Sequence, residues 1–221
     1  MPKSKEFILP KCPIDSEAYR QLYEFKLWID DWFEAHSAVQ TIRIRPGMTE
    51  EAVYRLLPSA GNFEYGGYIT KSRIRFYQCE AVRAVIQTSK PCTFHSHPTD
   101  YETADVPSVR DVHNFLYAKH LRTITVGAKL IWVWEKSRAT LLVVKKLIAW
   151  AEANMLKEML RLSLAYPKSF TDDYMMLALK NAGMAWPRKH SEWAANWEGM
   201  LRDKLKFNVR VFPRSLSVRD A

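Results

Sequence analysis

Apolar positions along this chain recur with two different periods, and the switches between them mark out the elements. From Ser16 to Ala38 the residues Tyr19, Leu22, Tyr23, Phe25, Leu27, Trp28, Trp32 and Phe33 form a broad stripe among charges, which predicts an amphipathic helix. Thr41-Ile42-Arg43-Ile44-Arg45 then alternates like a half-buried strand, ended by Pro46-Gly47. Thr49 stands where an N-cap belongs, Glu50 and Glu51 suit the first turn of a helix, and Val53, Leu56 and Leu57 supply its apolar face. Strands are predicted over 63–69, 74–77, 81–87 and 92–95, where Gly66-Gly67 in the first allows a close backbone approach or a bulge. A loop over 98–107 leads to a helix from Ser108 to His120 with Val112, Phe115 and Leu116 inward, followed by strands over 122–127 and 129–134. Beyond Ser137 the pattern is mainly helical, over 141–166, 171–183 and 192–205, until Phe207 to Phe212 alternates again.

Composition narrows the class. With 221 residues, 48% of them apolar and 26% charged, the chain can bury a real core as one large domain or as one domain with an appendage. The pattern divides it into an N-terminal helical segment (1–39) packing on the core, a central domain (40–137) and a mainly helical extension (138–221). The N-terminus lacks the apolar core of a signal peptide and no window approaches a bilayer span, so a cytoplasmic protein with no membrane partner is expected. Cys12, Cys79 and Cys92 are odd in number and lack C-x-x-C spacing, which argues against a disulfide framework or a zinc ribbon and for buried free thiols. The net charge of +9 is uneven: 15 Lys/Arg stand against 8 Asp/Glu from Arg138 onward, but 18 against 16 before it. Such a surplus steers acidic partners, including nucleic acid, although it is more often a solvated face.

The chemistry concentrates in Cys92-Thr93-Phe94-His95-Ser96-His97-Pro98 and in Ser108-Val109-Arg110-Asp111. Histidines two apart project from the same side of a strand, so both imidazoles reach one metal ion. Neutral imidazole suits zinc, and a carboxylate from a nearby helix makes a third ligand while leaving the fourth position for water. Each part has a plainer alternative. An isolated H-x-H is usually a surface or hydrogen-bonded pair, Ser108-x-x-Asp111 reads equally as a helix capping box, and Glu64 reads as a carboxylate on a strand edge. Cys92 lies on the opposite side of the strand from His95, His113 is turned away from Asp111 by helical register, and the Met155/Met159, Met175/Met176, Trp193 and Trp197 positions read as core.

Taken together, Glu64-x-x-Gly67, His95-Ser96-His97-Pro98 and Ser108-x-x-Asp111 resemble the signature of the JAMM/MPN+ (JAB-domain) zinc metallopeptidases, whose members include deubiquitinating isopeptidases and prokaryotic relatives. The resemblance covers roughly residues 40–137. It implies an α/β fold, a mixed β-sheet flanked by helices, with the helical C-terminal extension appended. It implies that His95, His97 and Asp111 bind Zn2+, that Glu64 is the general base and acid, and that Ser108 hydrogen-bonds the oxyanion. The implied reaction is hydrolysis of a peptide or isopeptide bond in a protein substrate, as in removal of a ubiquitin-like modifier. The ten residues between His97 and Ser108 are about three more than is usual in that family, a difference of only a few tenths of a kcal/mol in loop closure. The alternatives are a catalytically inactive scaffold of the same fold, or a nucleic-acid-binding module using the basic C-terminal part.

Overall fold

The computed structural model describes residues 6–9, 38–58, 61, 63–79, 90–98, 105–118, 120–153, 198–199 and 201–214. The helix expected over 16–38, the strand over 81–87 and most of the helices beyond Ala153 lie outside these, as does Cys12.

The described chain is α/β. Its seven strands are β1 (Gln40–Arg43), β2 (Tyr65–Ile69), β3 (Arg73–Gln78), β4 (Cys92–Ser96), β5 (Arg122–Val126), β6 (Leu130–Glu135) and β7 (Asn208–Pro213). They form one mixed sheet in the order β1-β3-β2-β4-β5-β6-β7. Only β4 and β5 run parallel, and the connection between them carries a helix, as a parallel pair requires. β7, from the basic C-terminal part, hydrogen-bonds along the whole of β6.

The helices whose bounds fall within the described residues are α1 (Glu50–Tyr54), α2 (Val109–Tyr117) and α3 (Arg138–Ala153). Thr49 caps α1 as expected, its hydroxyl accepting from the Ala52 amide at 3.2 Å. The helix expected from Ser108 to His120 is shorter, because Ala118 turns extended and the buried Lys136 ammonium takes its carbonyl oxygen. The helix expected from Leu141 begins three residues earlier, at Arg138. Ser137 and Thr140 bond each other's backbone amides there, at 3.0 and 3.1 Å, and fix its first turn.

Alternation sorts the sheet into two cores. On one face Ile69, Ile74, Phe76, Phe94, Ile124, Val126, Ile131 and Val133 pack against Val53 and Tyr54 of α1. On the other, Trp134 meets Phe115 of α2 edge-on at 5.4 Å, and Phe115 stacks on Phe207 at 5.3 Å. Because both faces are covered, every residue of β4 and β5 is buried. Gly67 shows why the first face needs a glycine. A Cβ there would strike the Arg75 carbonyl oxygen and sit 2.7 Å from the Phe94 ring, so β2 passes too close for any side chain.

Four charges cluster against the first core, with Arg122 and Glu50 mostly buried and Arg210 39% exposed. The Arg122 guanidinium contacts Glu135, lies 3.2 Å from Glu50, and donates to the Tyr54 hydroxyl and the Ile8 carbonyl at 3.1 and 3.0 Å. Arg210 of β7 closes the set with bonds to Glu50 and, at 3.0 Å, to Glu135. Two cations and two carboxylates balance, which is the condition for burying them. Burial alone would raise the Glu50 pKa, but the bonds from Arg210 and Tyr54 and the two guanidinium charges hold it below its usual value. Cys79 and Cys92 are buried free thiols, and burial pushes Cys92 up to about 12, which leaves it unreactive.

Candidate metal centre

His95 is the fourth residue of β4 and His97 follows directly after the strand, its amide donating to the Val126 carbonyl at 2.9 Å so that the β5 pairing continues through it. Period two then puts both rings on the face that α2 covers. Ser108 is the N-cap of α2, and the capping box forms in full: the Asp111 amide donates to Ser108 Oγ at 3.2 Å, and the Ser108 amide donates to Asp111 Oδ2 at 2.6 Å. The box locks the carboxylate against the helix start and turns it toward the histidines. His97 Nε2 lies 3.0 Å from Asp111 Oδ2, His95 Nε2 lies 3.2 Å from Oδ1, and the two Nε2 atoms are 3.1 Å apart. The cap and the carboxylate that faces the histidines are thus one structure, and neither reading excludes the other.

These distances test the site for a metal. A tetrahedral ion with arms of about 2.0–2.1 Å has ligand–ligand edges of about 3.3–3.4 Å, close to the His97–Asp111 and His95–His97 separations, and one ligand atom from each of the three residues lies within 4.8 Å of the others. Two imidazoles and a carboxylate suit zinc and its neighbours among the divalent transition metals. The donor set therefore fits, and among the described residues it is the one group of this kind.

The electrostatics match. Burial would raise the Asp111 carboxyl, but the facing His95 and His97 rings hold it well below its usual range. Burial would lower His95, yet the Asp111 charge and hydrogen bond, joined by the Glu64 charge, raise it.

That effect on His95 also locates Glu64. Gly66 pairs with His95 in the antiparallel β2–β4 ladder, and extending the register two places sets Glu64 across from His97 on the same face. Glu64 stands one residue ahead of β2 rather than within the strand expected over 63–69, while its carbonyl still accepts from Cys79 at 2.7 Å. Glu64 is partly exposed.

Three residues that position this site escape a reading of the sequence. Ser96 is fully buried on the opposite face, and its Oγ accepts the Tyr65 amide at 2.8 Å, pinning β2 to β4 at the register that places Glu64. Asp105 lies near the end of the ten-residue loop. Its Oδ1 takes the Lys129 and Leu130 amides at 2.5 and 3.3 Å and its carbonyl takes Trp132 Nε1 at 2.6 Å, so the loop is tied to the β5–β6 turn just before Ser108. Thr125 pairs with His95 across β4–β5, and its buried hydroxyl has no partner among the described residues; a threonine inside a strand as buried as β5 is the one sequence signal that could have found it. The side chain of His113 lies outside what is described. Comparison of the chain with protein-family models, with curated proteins and with solved structures gives no match.

Proposed function

We propose that the chain is a metal-dependent hydrolase of the JAMM/MPN+ type, built on that family's α/β fold with a helical C-terminal extension, which binds zinc through His95, His97 and Asp111 and cleaves a peptide or isopeptide bond in a protein substrate. The observation that carries the reading is the convergence of those donors at 3.0–3.2 Å beside the Glu64 carboxylate and a helix-capping hydroxyl. Bound zinc supplies Lewis acidity and lowers the pKa of water from ~16 to ~7.

The chain's own groups do the rest. Glu64, across from His97, accepts the proton of the attacking water and returns it to the leaving amine. Ser108 Oγ spends a lone pair on the Asp111 amide, which leaves its O–H to donate to the oxyanion that forms at the substrate carbonyl. The α2 N-terminus adds its positive dipole end to the same side.

The test is metal content together with turnover. The purified, folded protein is expected to take up one zinc per chain, lose it on Asp111→Ala, and release a ubiquitin-like reporter from an isopeptide-linked lysine only when loaded. A folded protein that stays metal-free after zinc addition sinks this reading and favours the inactive scaffold.

A further inference from the structure

The surplus of positive charge along the sequence falls from Arg138 onward, but one group of cations without ion-pair partners among the described residues lies elsewhere. In the β1–β3 ladder Arg43 lies directly opposite Arg73. Both are exposed, and strand alternation puts them on one face of the sheet. The Ile44 amide donates to the Ser72 carbonyl at 2.8 Å, which carries the pairing past the strand end and brings Arg45 beside Lys71 at the tip of the β2–β3 turn. Thr70 ties that turn down, its amide and hydroxyl both reaching the Arg73 carbonyl, at 2.8 and 3.1 Å. Four cations thus form a grid two strands wide on a fixed backbone. Like charges directly opposite in a ladder destabilise it, and among the described residues no carboxylate pairs with any of the four.

We infer that this edge of the sheet is a docking strip for the phosphate backbone of nucleic acid. Neighbouring strands are ~4.8 Å apart and alternate residues ~6.7 Å, a narrow cationic track suited to a line of phosphates. A protein partner fits it poorly, because protein interfaces centre on buried aromatic or aliphatic anchors. The exposed large apolar side chains among the described residues, Ile8, Phe63 and Leu142, are not on these strands. Phosphate contacts need no such anchor. The net charge of +9 adds a favourable long-range field. Among the described residues β1 is the sheet edge, so no described strand covers it. The strip lies at the end of β2 and β3 away from Glu64 and the histidines, roughly 15–20 Å distant by strand spacing. It is independent of the metal centre, so the strip can fail with the hydrolase reading intact, and the reverse.

The experiment measures binding of the full chain to a labelled duplex DNA of mixed sequence across a salt series. It compares the parent with the variant Arg43→Gln/Arg45→Gln/Lys71→Gln/Arg73→Gln. A control removes the same charge from the C-terminal part by Lys145→Gln/Lys146→Gln/Lys204→Gln/Lys206→Gln. Four phosphate contacts predict that the parent loses about a hundredfold in affinity between 50 and 200 mM salt, and that the strip variant has a log–log slope shallower by about 3–4. The control is expected to keep a slope within about one of the parent. Because the strip variant removes like-charge opposition, it is also expected to melt no lower than the parent. Equal slope changes in both variants would show net charge alone at work. That result, or a parent that binds no DNA at low salt, or a strip variant that melts lower, overturns the inference.

Discussion

On the proposed reading Glu64 and Ser108 make two kinds of contribution to one site, outside the donor set of His95, His97 and Asp111. Replacing Glu64 with Gln keeps size and removes the proton acceptor, so zinc content should hold while kcat falls by about 10²–10⁴; a matching loss of metal would show that Glu64 serves as a ligand instead. Ser108→Ala removes two things together. The lost oxyanion donor should lower kcat by about 10²–10³, and the lost cap should cost about 1 kcal/mol of stability. Ser108→Thr keeps both the hydroxyl and the cap, so its melting temperature and its turnover should both recover substantially. Recovery of melting without turnover would place the hydroxyl outside the chemistry.

At the scale of elements, the join between β6 and α2 carries a pH dependence. Lys136 is buried, its ammonium bonded to the Ala118 carbonyl at the end of α2 and 4.9 Å from the centre of the Phe115 ring. Burial pushes its pKa down to about 7, whereas an unfolded lysine titrates near 10.4. Below pH 7 both states hold the proton and the folded state carries the full penalty of a buried charge. Between these pKa values the unfolded chain binds more protons, so stability rises with pH, by at most about 1.4 kcal/mol per unit. Lys136→Met should remove that rise. Denaturant melts of both proteins from pH 7 to 10 check it: the parent should gain on the variant steadily, and a constant difference would mean that Lys136 keeps its proton in the fold. Boundaries belong to this scale too. Thr49 and the Ser108–Asp111 box were legible because caps are local chemistry, whereas the early stop of α2 depends on an ammonium from β6 that no local pattern reveals.

Across the whole molecule, the network of Arg122, Glu50, Glu135 and Arg210 ties α1 to β5, β6 and β7. Arg122→Met leaves Glu50 and Glu135 sharing the one remaining, more exposed guanidinium, and should destabilise by about 3–5 kcal/mol. Adding Glu135→Gln should return a good part of that loss, as a double-mutant cycle in chemical denaturation would show; additive losses would mean that the two residues act separately. Among the described residues no helix is long and apolar enough to cross a membrane.

The sequence by itself determined what neighbouring residues decide together. Period two put His95 and His97 on one side of a strand, a cap signal placed Asp111 in the first turn of α2, and alternation marked most of the strands. Only the tertiary structure decided which strands meet. Antiparallel pairing of β2 with β4 sets Glu64 across from His97, parallel pairing of β4 with β5 draws α2 over the histidines, and pairing of β1 with β3 aligns Arg43 with Arg73. Arg210 reaches Glu50 across 160 positions of chain. Such partners are selected by the burial of a shared core, a property of the whole sheet that no window of sequence contains.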